Sequence, residues 1–122
     1  MENKQDPRIQ IYADLDRVEQ EIHDAAKDRI KEIKNETKED IKSVKNEMKE
    51  LKKESKDKLE TYKNMMEDRD DATAKAKIHA AKETHKVIEK DIENDYEQTK
   101  EKLERERDHR IDSIENMLED KD

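Results

Sequence analysis

An apolar residue returns every third or fourth position along the first half of this chain, and the pattern repeats in elevens. The stripe runs Ile11, Leu15, Val18, Ile22, Ala26, Ile30, Ile33, Thr37, Ile41, Val44, Met48, Leu51, Ser55, Leu59, Tyr62 and Met66. Its fifteen steps cover 55 residues, about 3.67 residues per step. That spacing is helical. An eleven-residue period holds one face of a nearly straight or slightly right-handed helix toward a neighbour, where a heptad would wind to the left. Written out, the repeat reads RIQIYADLDRV, EQEIHDAAKDR, IKEIKNETKED, IKSVKNEMKEL, KKESKDKLETY, and its fourth column holds Ile11, Ile22, Ile33, Val44 and Ser55. The second half resumes as IHAAKETHKVI, EKDIENDYEQT, KEKLERERDHR, IDSIENMLEDK, with Ala81, Ile92, Leu103 and Ile114 in that column.

A stripe this narrow cannot supply a layered core. Nineteen of the 122 residues are Ile, Leu or Val, while 52% are charged. Layered domains bury far more apolar surface, and a substrate pocket needs concave apolar walls with loops to carry its groups. The absence of glycine removes phosphate-cradling and dinucleotide loops. The expectation is therefore a non-enzymatic protein with no cofactor, and with no catalytic, cofactor-binding or metal site. A net charge of −8 argues against nucleic acid as a partner. With no cysteine there is no disulfide framework and no thiolate metal site. No apolar run approaches the ~20 residues of a membrane span, and the first residues do not read as a signal peptide, so a cytoplasmic location is expected. Low aliphatic content with high charge is also a signature of disorder. Here the two signs are mixed, so patterning has to decide.

Asp6-Pro7 reads as a helix start, an Asp N-cap followed by proline in the first turn. The stripe fails around Asp70, Thr73 and Lys77, where Glu67-Asp68-Arg69-Asp70-Asp71 packs four carboxylates into five residues. Such a segment suits a solvated turn, with Asp71 as N-cap of a second helix. The resulting layout is a disordered N-terminus over 1–6, helix one over 7–67, an acidic turn over 68–72, helix two over 73–119 and a frayed end over 120–122. Helix one divides into an overhang (7–24) and a paired arm (25–67).

The charges choose the packing. One residue beyond the apolar columns, helix one carries Lys27, Lys31, Lys34, Lys38, Lys42, Lys45, Lys49, Lys53 and Lys56. The same flank of helix two carries Glu89, Glu93, Glu97, Glu101, Glu104, Asp108, Asp112, Glu115 and Glu119. Like charges three or four apart on one helix repel, so each stripe calls for a second helix of opposite sign. Reversing one list against the other pairs Lys27 with Glu119, Lys42 with Glu104 and Lys56 with Glu89. Eight of the nine pairs have residue numbers adding to 146 and the ninth to 145. Antiparallel packing neutralises both stripes at once. The apolar seams agree within a turn: Tyr62 meets Ile78, Leu59 meets Ala81, Leu51 meets Ile88, Met48 meets Ile92 and Val44 meets Tyr96.

The fold expected is thus all-α, a long antiparallel coiled-coil helical hairpin with hendecad periodicity that dimerises. A single continuous helix in an antiparallel dimer obeys the same register and is the alternative. Helix one outruns helix two, which leaves Ile9, Ile11, Tyr12, Leu15, Val18 and Ile22 as a partner or oligomer interface. His85 falls in the seam opposite Ser55, a polar layer of the kind that sets register. Glu106 and His109 share the E-x-x-H spacing of di-metal bundles, but the second copy and the further inward carboxylates such sites need are missing.

The eleven-residue format, rich in Lys and Glu and free of Cys and Trp, resembles the late embryogenesis abundant proteins of the eleven-residue-repeat group. The likeness spans most of the chain as format. The chain departs from their Ala/Thr-rich motif and has a stronger Ile and Leu seam. The resemblance implies a stress protectant that is disordered in water and helical when dried or bound. A lipid-surface amphipathic helix is a further alternative, although such helices carry wide apolar faces and bulky aromatic anchors. The reading that best fits the seam is a scaffold, spacer or adaptor working through helix–helix contacts, with a protein partner or itself.

Overall fold

The computed structural model describes residues 7–69 and 71–119, so the expectations for 1–6, Asp70 and 120–122 fall outside the described residues. Two long helices, α1 (Pro7–Glu67) and α2 (Ala72–Glu119), form an antiparallel hairpin with extensive contacts between them. The interruption at Asp68 and Arg69 sets aside the single continuous helix.

The sequence explains the length of α1. It holds no glycine, and its one proline is its first residue, where the missing N–H is no loss. Lys and Glu, both good helix formers, fill its exposed faces. The helix ends where the Arg69 N–H donates to the Met66 carbonyl at 3.0 Å, a tightened last turn. Asp71 then starts α2. Its Oδ1 accepts the Ala74 N–H at 2.6 Å and its carbonyl accepts the Lys75 N–H at 3.2 Å. That is an N-cap in the usual sense, a side-chain oxygen serving a backbone donor the helix leaves without a partner. No described residue has a positive φ, so the described part of the reversal asks for no glycine.

The chain divides into two compact units, one of Met1–Thr37 with Glu106–Asp122, the other of Lys38–Arg105. In the first, Ala26, Ile30, Ile33 and Thr37 of α1 turn inward, as do Arg107, Ile111, Ile114 and Leu118 of α2. Ile33 is 1% exposed and Thr37 is buried with it. In the second, the covered positions are Ile41, Val44, Met48, Lys52, Ser55, Leu59, Tyr62, Lys63 and Met66 on α1. On α2 they are Ala74, Ile78, Ala81, His85, Glu89, Ile92, Tyr96, Lys100, Leu103 and Glu104. Most of these are half-buried, and Ala74 is fully buried. Two helices alone cannot close over their seam, so most seam residues keep one side toward solvent.

Candidate interaction surface

The seam of the second unit departs from the expected one where it matters most. Leu51 was expected inside and is 50% exposed, and its expected partner Ile88 is 41% exposed. Lys52 and Glu89 are half-buried in their place. The cause is phase. From Met48 the helix reaches the next inward position after four residues and Ser55 after three more, and from His85 it again takes four residues to Glu89 and three to Ile92. The opposite order, three then four, would have put Leu51 and Ile88 inside.

The result is a polar stretch of seam. Lys52 Nζ donates to Glu93 across the hairpin. Ser55 Oγ and His85 Nδ1 share a 3.0 Å hydrogen bond, and His85 Nε2 lies 3.1 Å from Glu89. Both ring nitrogens therefore have a partner, and no buried side-chain polar atom among the described residues lacks one. A satisfied polar layer costs some stability relative to an apolar one but penalises every shifted register.

Displaced from the seam, Leu51 and Ile88 line an open groove of about 700 Å³ along one side of this unit. Leu59, Tyr62, Ala81 and Ile92 extend its apolar wall, while Glu54, Lys58 and Lys77 also border it. Met48, Val44 and Tyr96 meet Ile92 in a smaller cleft.

The charge stripes lie mostly in solvent, with Glu89 and Glu104 half-buried. Among the described residues the ion pairs crossing between helices are Lys52–Glu93 and Arg110–Glu36, at 3.5 Å for the latter, and neither is one of the nine stripe pairings. Glu93 thus takes Lys52 rather than Lys53, and Glu89 is engaged by His85. The Arg110 pair belongs to a cluster in the first unit. Arg29 Nη1 reaches Glu32 at 2.9 Å and Glu36 at 3.6 Å, and Arg110 approaches Glu36 from α2. The hydrogen bond to Glu32 raises the Arg29 pKa above its ordinary value, with the charges of Glu32 and Glu36 adding to it. Sequence reasoning missed this cluster, although residues 36 and 110 obey the register that aligns the stripes. They sit one residue before the seam rather than one after it.

The stripe expected to overhang is solvent-facing throughout. Ile9, Ile11, Tyr12, Leu15, Val18 and Ile22 are between 46% and 69% exposed. The polar residues among them are tied along the helix, Gln10 to Asp14 at 3.1 Å and Arg17 to Asp14 at 3.4 Å. Among the described residues no three His, Asp or Glu side chains converge as metal ligands, and His109 instead has its carbonyl engaged by the Ser113 hydroxyl at 2.9 Å. No described helix is long and apolar enough to cross a membrane. Comparison with protein-family models, curated proteins and solved structures finds no match to this chain.

Proposed function

We propose that this is a non-catalytic structural or interaction protein, a scaffold, spacer or adaptor whose hairpin presents helix faces to a protein partner or to a second copy of itself. One observation carries the reading. Four residues at seam spacing, Ile11, Leu15, Val18 and Ile22, continue the inward pattern of α1 while standing at least 46% exposed. A face patterned for helix packing that remains in water is the form taken by helix-in-groove recognition elements, and contiguous exposed apolar residues of this kind mark interaction sites.

The lysine and acid stripes belong to the same proposal as long-range complementarity within the hairpin. Exposed pairs of this kind contribute only about 0–1 kcal/mol each. Their value lies in favouring antiparallel over parallel packing, in which the lysine stripe would not meet the acidic one.

The test compares the full chain with Ile11→Asp/Leu15→Asp/Val18→Asp. Both proteins are expected to give strongly helical far-UV circular dichroism in water, and the variant is expected to lose self-association or partner capture. A coil spectrum for the unaltered chain would move the assignment to the hydrated-disordered protectant. Equal association by both proteins would remove the N-terminal face of α1 as the docking element.

A further inference from the structure

We propose that the groove of the second unit receives the N-terminal face of α1 from a second copy of this chain. The inference rests on the helix–helix reading above and names its occupant. It begins with an inversion in the seam, where Lys52, Ser55, His85 and Glu89 take covered positions while Leu51 and Ile88 face outward. Apolar residues gain from leaving water and polar ones do not, so the arrangement becomes favourable when a third helix covers that side.

The N-terminal face fits by length. Ile11 to Ile22 spans eleven residue steps, and so does the α1 wall of the groove from Leu51 to Tyr62. At 1.5 Å per residue each is about 17 Å long. It also fits by chemistry, since Ile11, Leu15, Val18 and Ile22 project at steps of four, three and four, the ridge that a groove between two helices accepts.

Charge selects this occupant over the isologous alternatives. Residues 11–22 carry Asp14, Asp16, Glu19 and Glu21 against Arg17, a net −3. Two N-terminal faces packed on each other would bring two such clusters together. The groove rim offers Lys58 and Lys77 against Glu54. Both lysines are exposed, and neither has an ion pair with a described residue. Packing groove on groove would set four lysines against only two glutamates and leave the N-terminal faces in water. Face in groove satisfies both surfaces and both sets of charges.

A heterologous contact has a distinctive behaviour on mixing. Two full-length variants are needed, Leu15→Asp/Val18→Asp in the face and Leu51→Asp/Ile88→Asp in the groove, with helicity checked by circular dichroism. In sedimentation velocity the unaltered chain is expected to self-associate, and each variant alone to associate at least about 30-fold more weakly. An equimolar mixture is expected to regain association, because a sound face on one variant meets a sound groove on the other. A mixture no better than its components overturns the proposal, and so does either variant associating as the unaltered chain does. Should the groove variant lose helix, Lys58→Glu/Lys77→Glu replaces it, since those exposed side chains leave the seam intact. A helical but monomeric unaltered chain overturns this inference alone, whereas a coil overturns the functional reading beneath it.

Discussion

Cutting Ile33 back to alanine removes three carbons from the one large side chain among the described residues that is 1% exposed. Three methyl or methylene groups at about 0.8 kcal/mol each amount to about 2.4 kcal/mol of lost transfer free energy. A residual cavity adds to that, but a seam between two helices collapses more readily than a layered core. The expected loss is about 3 kcal/mol, in the lower half of the range for buried Ile and Leu truncations. Leu51→Ala deletes the same number of carbons from a residue already 50% exposed, so about 1 kcal/mol is expected there. The assay is urea unfolding followed by far-UV circular dichroism, run on both variants and on Ile33→Val, which should lose about 1 kcal/mol. Equal losses for Ile33→Ala and Leu51→Ala would refute the reasoning, since they would mean the two residues are equally covered. A larger loss at Leu51 would show the seam in the opposite phase.

Asp71→Ala should cost about 1 kcal/mol through loss of the Ala74 cap, while Asp71→Asn keeps most of it; thermal melts of the pair check this. Ser55→Ala strips His85 Nδ1 of its partner and should destabilise by about 1 kcal/mol, whereas Ser55→Leu with His85→Leu should stabilise the hairpin. A gain from Ser55→Ala in urea unfolding would show that the hydrogen bond does not hold the layer. Reversing Lys42, Lys45 and Lys49 to Glu should lower the melting temperature, and reversing Glu97, Glu101 and Glu104 to Lys in the same chain should restore it. Additive losses instead of recovery would mean the stripes never face each other, and added salt should shrink the effect.

Hydropathy and charge revealed the hairpin because each operates on whole faces. Fifteen steps of consistent spacing cannot be offset by one ambiguous residue, which is why Ile30, Ile33, Val44, Leu59 and Tyr62 lie inward as their spacing requires. Leu51 and Lys52 show the limit. With a step that averages 3.67, each choice between three and four residues is a matter of phase, and both side chains stand within one turn of Met48 and Ser55. Hydropathy favours Leu51. The geometry of the helix pair favours Lys52, whose aliphatic stem can lie in the seam while its amine reaches Glu93. The Arg29, Glu36 and Arg110 cluster was hidden for a different reason. It is made of isolated charges without a stripe, and only a three-dimensional register distinguishes such charges from solvated ones.

The reversal at Asp71 also sets an order for assembly. The links between helices join residues 30, 41 and 74 positions apart, from Ser55–His85 through Lys52–Glu93 to Glu36–Arg110. Closing a loop costs more entropy as it lengthens, but each pairing already made shortens the loop the next must close. Pairing that starts at the bend and runs outward is therefore the order expected to keep each closed loop short. Substitutions close to the bend should slow refolding, and those far along the arm should mainly hasten unfolding, a division that the two limbs of a chevron separate. The last residues to arrive, Ile11, Leu15, Val18 and Ile22 on the first turns of α1, stand in solvent.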